Sequence, residues 1–158
     1  MVSPDTFRHV LRRHPSGVAV VSVDANGQRV GLTVATLTAL SLEPALVGVA
    51  VARQAALHEL LREARSFAVS LLAAEQEPLA EHFARGVPPI GMWQGVEARD
   101  GELGAPLLEG ALGWLECRLV DEVAAGTHTF FVGEVVAAAE GRDAAPLLRL
   151  GGTFRSAS

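Results

Sequence analysis

Cysteine and tyrosine are the scarcest residue types in this sequence of 158 residues. There is one cysteine, Cys117, there is no tyrosine, and aromatic residues make up only 5%. One cysteine cannot form a disulfide within the chain, so we expect a reducing compartment, the cytoplasm. A chain with so few aromatic residues has little material for stacking nucleic-acid bases. It also has no basic tract and a net charge of −5, which argues against nucleic acid as a partner.

Long hydrophobic runs are absent as well. No apolar run approaches the ~20 residues needed to span a bilayer, and residues 1–17 contain no unbroken apolar segment of the signal-peptide type. We therefore expect no membrane association. Hydrophobic residues nevertheless reach 49%, which argues against a disordered chain. The length suits one domain over residues 1–158 with a sizeable core.

The motifs that usually carry catalysis are missing too. The five histidines have no cysteine, aspartate or glutamate at the spacing of a metal site, so we predict no bound metal. No GxSxG elbow, P-loop or GxGxxG fingerprint occurs. Cys117 shares a predicted strand face with Leu115 and Leu119, which is typical of a buried, unreactive thiol. Either the protein binds a ligand without chemistry, or a cofactor carries the chemistry.

Hydrophobic periodicity predicts a mainly β protein with short helices. Helical spacing of apolar residues indicates helices over 3–14, 55–65 and 73–84. Alternating or continuous apolar runs indicate about seven strands, over 17–23, 30–40, 45–52, 66–72, 111–123, 128–140 and within 145–155. Asn26-Gly27 predicts a hairpin turn, and 85–106 is predicted to be irregular. Strands and helices do not alternate regularly, so we expect an antiparallel sheet or small barrel rather than a doubly wound fold.

The predicted strand over 30–40 is unusual because hydroxyl groups lie among its apolar residues. The hydroxyl side chains fall on both faces and belong to Thr33, Thr36, Thr38 and Ser41. One interpretation is packing alone, since threonine has a high strand propensity. The other is an edge or bulged strand whose hydroxyl and N–H groups face a planar, polar ligand. The small residues Gly31 and Ala35 would let such a ligand approach closely.

Several linked segments resemble, in order, the flavin reductase-like domain family, the small NAD(P)H:flavin oxidoreductases that serve two-component monooxygenases. The segments are SGVAVVSVDANGQRVGLTVATLTALSLEPALVGVAVAR, SFAVSLLAAEQEPLAEHFARG and GAPLLEGALGWLECRLVDEVAAGTHTFFVGEVVAAAE. The resemblance implies an antiparallel Greek-key split β-barrel with short flanking helices. It also implies a homodimer, FMN or FAD in a groove near the dimer interface, NADH or NADPH as hydride donor, and a monooxygenase partner that receives reduced flavin.

The resemblance further implies which residues contact the flavin ring. The family's flavin strand looks like G-(M/L)-T-(V/A)-x-(S/T)-x-(T/S), and here it begins at Gly31. The match assigns six consecutive residues to the flavin: Thr33, Val34, Ala35, Thr36, Leu37 and Thr38. On this basis, Thr36→Val is expected to weaken flavin binding with little loss of fold stability.

Other matched positions implied by the resemblance lie further along the chain. Arg53 stands at a basic position near the flavin phosphate, and Gln54 begins the run that follows it. Phe83-Ala84-Arg85 is similar to an RFA-like segment that approaches the flavin. His128, within GTHTFFVGEV, stands where the family has a histidine near the nicotinamide, which implies a positioning role.

Three departures from the family pattern keep an alternative open. Gln54-Ala55-Ala56-Leu57 replaces a Ser-x-x-Thr-like run that helps to hold phosphate, and residues 149–154 replace a Y-x-R-G-R-Y-like segment. Thr127 replaces a more usual aspartate before His128. The alternative to a reductase is a non-catalytic FMN-binding or electron-carrier protein on the same barrel. The sequence sets no preference between FMN and FAD, or between NADH and NADPH.

Overall fold

The structure is a computed structural model that describes residues 1–85 and 88–157. It is mainly β. Three α-helices occur in the described residues: α1 (Pro4–Leu11), α2 (Ala56–Ala64) and α3 (Glu77–Ala84), the last preceded by a 3-10 turn, Ala74–Gln76. The strands of the same residues are β1 (Ser16–Gly17), β2 (Ala19–Ala25), β3 (Gln28–Val34), β4 (Thr38–Leu42), β5 (Ala45–Ala52), β6 (Ser66–Leu71), β7 (Ala98–Asp100), β8 (Pro106–Leu108), β9 (Gly113–Ala125), β10 (His128–Glu140), β11 (Leu147–Leu150) and β12 (Thr153–Ser156).

The main sheet has seven antiparallel strands in the order β3-β2-β6-β9-β10-β5-β4. Its two edge strands, β3 and β4, are consecutive in the chain and only three residues separate them. A link this short requires the sheet to curl until its two edges are adjacent. This arrangement agrees with the split barrel that the resemblance implies. A smaller sheet, β1-β11-β12, brings the chain's first strand beside its last ones.

The strand predicted over 30–40 is in fact two strands, and that prediction was wrong. The first ends at Val34 and pairs with β2, whereas the second begins at Thr38 and pairs with β5. The alternation of side chains continues through residues 35–37, so the local pattern gives no sign of the break. The break comes from the sheet itself, because the chain must leave one edge and join the other.

Most of the other local predictions are confirmed, with shifted boundaries. Ser3 caps α1 by accepting a hydrogen bond from the Thr6 N–H at 3.2 Å. Asn26 and Gly27 both have positive φ, 54° and 89°, as the predicted hairpin turn requires. The segment 85–106, predicted to be irregular, contains β7 and pairs it with β8. Residues 86 and 87 of that segment lie outside the described residues.

One large cluster of buried side chains fills the interior of the main sheet. It combines residues of β2, β5 and β6 with Leu57 and Leu61 of α2 and with Phe131 of β10. Phe83 of α3 belongs to the same cluster. The two helices are therefore fixed against the sheet by apolar burial, which places the first turn of α2 and the last turn of α3 near β3. Among the described residues, no helix is long and apolar enough to cross a membrane.

Candidate functional site

The bend between β3 and β4, residues 35–37, joins the two edges of the main sheet. The Thr36 hydroxyl donates a hydrogen bond to the Ala50 carbonyl at 2.9 Å and accepts one from the Ala50 N–H at 3.1 Å. Ala50 lies on β5, beyond the last β5 residue that pairs with β4. The Thr36 hydroxyl thus bonds the Ala50 backbone groups where no β4 residue does. The hydroxyl of Thr33 is also used within the protein, since it donates to the Ala80 carbonyl of α3 at 2.6 Å.

These contacts answer part of the question that the hydroxyl-rich segment raised. Two of its hydroxyls hold secondary-structure elements together, as the packing interpretation allows. The backbone of the bend and the side chain of Ala35 remain half-exposed or exposed. A planar ligand at the bend would therefore meet backbone groups and small side chains, whereas the Thr33 and Thr36 hydroxyls already have partners.

The start of β10 lies beside the end of β5, next to the bend. His128 is paired with Ala52, and the Arg53 N–H donates to the Thr127 carbonyl at 3.1 Å. The Thr127 hydroxyl hydrogen-bonds the His128 Nδ1 atom at 2.9 Å. Thr127 thus gives His128 a neighbour that fixes one ring nitrogen. The other ring nitrogen, Nε2, has no hydrogen-bond partner within the described part of the chain and is available to a ligand.

A groove of about 330 Å³ lies between β3, the first turn of α2 and the end of α3. We call it the β3–α2 groove. Gly31 and Leu32 line it from β3, Gln54 and Ala56 from the start of α2, and Phe83 from α3. Its volume falls within the roughly 300–1,000 Å³ range of small-molecule sites. Two of the predicted cofactor residues, Gln54 and Phe83, therefore meet at one groove.

The first turn of α2 presents backbone donors at this groove. The residue before the helix, Ala55, makes no side-chain capping hydrogen bond, because alanine has no polar atom. The His58 N–H donates to the Ala55 carbonyl at 3.0 Å, which leaves the N–H groups of Ala56 and Leu57, with the partial positive charge of a helix start, for a ligand. Arg53 lies two residues earlier, with an exposed side chain that forms no ion pair with a described residue. This is a favourable place for a phosphate group.

Three further predicted cofactor residues do not line the β3–α2 groove. Leu37 is partly buried against the core and lines a separate cavity with residues of β2 and β6. Thr38 is exposed, and its hydroxyl lies 3.5 Å from the neighbouring carbonyl of Ala39. Arg85 is exposed and pairs with Glu81 at 3.8 Å. Val34, by contrast, is buried under the bend, so only its backbone can face a ligand there.

His58 is a buried residue that the sequence analysis did not single out. Its Nε2 atom hydrogen-bonds the Thr129 hydroxyl at 2.7 Å, and its Nδ1 atom hydrogen-bonds Glu59 at 2.5 Å. The bond from His58 lowers the pKa of Glu59 below its usual value, with a smaller contribution from Arg62. His58 therefore ties the first turn of α2 to the start of β10, beside His128. His58 precedes the buried residue Leu61 by three positions, so the two share one face of α2. This spacing could have predicted from the sequence that His58 is buried.

In the part of the chain that the structure describes, neither the lone cysteine nor a cluster of metal ligands supplies chemistry at the site. Cys117 is fully buried, and burial raises the pKa of its thiol to about 12. The predicted burial of Cys117 is confirmed, and its low reactivity stays a prediction. Among the described residues, no cluster of three or more histidine, cysteine, aspartate or glutamate side chains could hold a metal ion. The site can bind and orient, and any redox chemistry must come from what it binds.

Comparison with known proteins identifies relatives that share this architecture. The family model described as "Flavin reductase like domain" matches residues 11–158. An NADH-dependent FAD reductase of Streptomyces globisporus is 40% identical over 153 residues, covering 94% of this chain and 83% of the relative. The reductase component of 4-hydroxyphenylacetate 3-monooxygenase of Thermus thermophilus is 37% identical over 144 residues, covering 91% of this chain and 90% of the relative.

A solved structure from Streptomyces globisporus extends the likeness to three dimensions. It is an NADH:FAD oxidoreductase in complex with NAD and FAD fragments. It superposes with a TM-score of 0.91 at 37% identity, covering 98% of this chain and 94% of that chain.

Proposed function

The chain belongs to the flavin reductase-like domain family, and from that premise we propose that it is an NAD(P)H:flavin oxidoreductase acting on FMN or FAD. A bound flavin supplies the hydride-accepting chemistry, which explains why the sequence holds no catalytic motif of its own. The observation that carries the proposal is the convergence of the bend, the end of β5 and the start of β10 beside a groove of suitable size. The activities of the relatives named above support it.

The β3–α2 groove fits the phosphate-bearing part of a flavin. The uncapped first turn of α2 offers N–H donors, and Arg53 and Gln54 precede it. These donors compensate for the absence of a hydroxyl in residues 54–57, because backbone amides at a helix start bind phosphate without side-chain help. Leu32 and Phe83 supply apolar walls. We assign the ring system of the flavin to the bend, residues 35–37, and to the strand ends on either side of it, where Ala35 leaves room.

His128 is the residue that we assign to positioning the nicotinamide. The Thr127 hydroxyl holds its Nδ1 atom, and the pairing with Ala52 fixes its backbone beside Arg53. His58, bonded to Thr129, holds the same end of β10 against α2. A ring held at Nδ1, on a strand end that is itself fixed, can present its Nε2 atom to a reacting partner with little loss of entropy on binding.

We also propose that the protein works as a homodimer and delivers reduced flavin to a monooxygenase. No residue of α1 is buried, and its apolar stripe exposes Phe7 and Val10 by 56% and 63%. Leu42 at the edge of the main sheet is 90% exposed, and Val123 of β9 is 50% exposed. Apolar surface of this extent favours burial against another chain. We further propose a single domain over residues 1–158 and a cytoplasmic location, which suits a lone cysteine.

The proposal is tested by steady-state oxidation of NADH and NADPH with FMN and FAD as acceptors. We expect turnover above the protein-free rate, and His128→Ala should raise the KM for NADH more than it lowers kcat. His9→Ala, a change at an exposed histidine of α1, is the matched control and should behave as the wild type. Retention of FMN without any NAD(P)H oxidation would instead support an electron carrier.

A further inference from the structure

A second groove lies beside the bend, between the N-terminal segment that includes α1 and the turn between β11 and β12. We call it the arginine groove. Its volume is about 440 Å³, within the range of small-molecule sites. Its lining includes the side chains of Arg8, Arg12 and His14 from the N-terminal segment and Arg149 from β11. Ala35, in the bend assigned to the flavin ring, lines the same groove. The arginine groove therefore borders the bend directly, whereas the β3–α2 groove is lined by β3 residues that precede the bend.

The positive charge of the arginine groove is only weakly compensated. No aspartate or glutamate belongs to its lining. Arg8 pairs with Asp5 at 3.1 Å, but both side chains are exposed, by 62% and 83%, so this ion pair neutralises the site only weakly. Within residues 1–85 and 88–157, the side chains of Arg12 and Arg149 form no ion pair. On a chain with a net charge of −5, this cluster is a local site for an anion.

The walls of the arginine groove are held in place by the backbone. The Gly151 N–H donates to the Arg12 carbonyl at 3.0 Å, and Ser16 pairs with Arg149. Gly151 and Gly152 form the turn between β11 and β12 with φ of 65° and 82°, which side chains rarely adopt. A turn without Cβ atoms leaves the mouth of the groove open. The arginines therefore start from fixed backbone positions, which reduces the cost of ordering them around a ligand.

We propose that the arginine groove binds the phosphate groups of an adenine dinucleotide whose redox ring lies at the bend over residues 35–37. The inference rests on the proposed reductase function and adds the residues that select the dinucleotide. Guanidinium groups match phosphate oxygens in geometry and charge, and Ala35 places the groove directly beside the ring site. Both NAD(P)H and FAD carry an adenosine diphosphate, whereas FMN does not. This difference separates the two sources of the phosphate.

The test uses Arg12→Gln, Arg149→Gln and the double variant, with Arg13→Gln as the matched control. Arg13 is the next residue along the chain, is exposed, and does not line the groove. With FMN as acceptor, we expect the KM for NADH to rise about 5- to 10-fold for each groove variant, with kcat unchanged, because each loses an exposed charge-assisted hydrogen bond. Arg13→Gln should leave both constants unchanged. A rise in the KM for FAD but not for NADH or FMN would assign the groove to FAD.

Titration calorimetry with ADP, in the absence of flavin, tests ligand binding at the arginine groove independently of the reductase activity. We expect the Kd for ADP to rise at least about 5-fold in the groove variants and to stay constant in Arg13→Gln, even in a protein that oxidises no NADH. Raised ionic strength should weaken ADP binding to the wild type more than to the double variant. Equal ADP affinity and equal KM values in the wild type and both groove variants would overturn the proposal.

Discussion

Thr36→Val removes one hydroxyl from the bend and tests whether that hydroxyl closes the barrel. The hydroxyl forms two hydrogen bonds with the Ala50 backbone, at 2.9 Å and 3.1 Å. Each hydrogen bond contributes about 0.5–1.5 kcal/mol to stability, which gives about 1–3 kcal/mol for the pair. Thr36 is exposed, so water replaces part of the loss. We therefore expect a decrease of about 1–2 kcal/mol in the free energy of unfolding.

This expectation corrects the one drawn from the sequence, which gave Thr36→Val little effect on stability. Valine keeps the shape and the strand propensity of threonine, so the change isolates the hydroxyl. Flavin affinity should also fall, since Thr36 fixes the bend that includes Ala35. The loss of affinity then follows from displacement of the bend, and it should accompany the loss of stability.

Urea unfolding at constant protein concentration measures the effect, because the stability of the proposed dimer would depend on concentration. We expect a lower midpoint with an unchanged slope, together with a decrease in Tm of about 2–8 °C. Two controls accompany it. Thr36→Ser keeps the hydroxyl and should restore most of the stability. Thr38→Val removes a hydroxyl whose nearest acceptor is 3.5 Å away, and should change stability by less than about 0.5 kcal/mol. Equal midpoints for Thr36→Val and the wild type would refute the assigned role.

Three further changes test other parts of the account. A Cβ atom at Gly31 would lie 2.9 Å from the Phe83 ring, so Gly31→Ala should displace that wall of the β3–α2 groove. We expect weaker FMN binding, measured by fluorescence titration. Gly17→Ala is the control, because a Cβ atom there would have no other atom within 4 Å. Cys117, buried with its thiol pKa raised to about 12, should resist a thiol reagent in the native protein and react in urea, so stoichiometric native labelling would contradict its burial. The pKa of Glu59 is lowered from 4.5 by the adjacent histidine, so its contribution to stability is present above about pH 4.5 and is lost as the pH falls below it. Glu59→Gln should therefore flatten the acid limb of a plot of stability against pH, and an unchanged limb would contradict the assignment.

Local signals made parts of the fold predictable. The Asn26-Gly27 turn, the cap at Ser3 and the apolar run of β5 each depend on neighbouring residues alone, and all three are found. The division of 30–40 into two strands was not predictable in this way. It depends on which sheet edges the two halves join, and that depends on the pairing of β5 with β10 far along the chain.

The candidate site shows the same difference between local and long-range information. Resemblance to the family singled out Arg53, Gln54, Phe83 and His128, whose backbone or side chains the fold brings near the bend or the β3–α2 groove. It could not indicate that the Thr36 hydroxyl is already bonded to another strand, because that contact joins the bend to β5, a strand later in the chain. The arginine groove was equally hidden, since it combines the two ends of the chain.

The most direct test of the central claim is an anaerobic titration of the purified protein, first with FMN and then with NADH, followed by visible absorbance. The account predicts a spectral change as FMN binds and loss of the flavin absorbance on adding NADH, faster than in a protein-free control. A protein that leaves the spectrum of FMN unchanged and does not accelerate its reduction by NADH or NADPH, with FAD tested in parallel, would contradict the assignment of a flavin reductase.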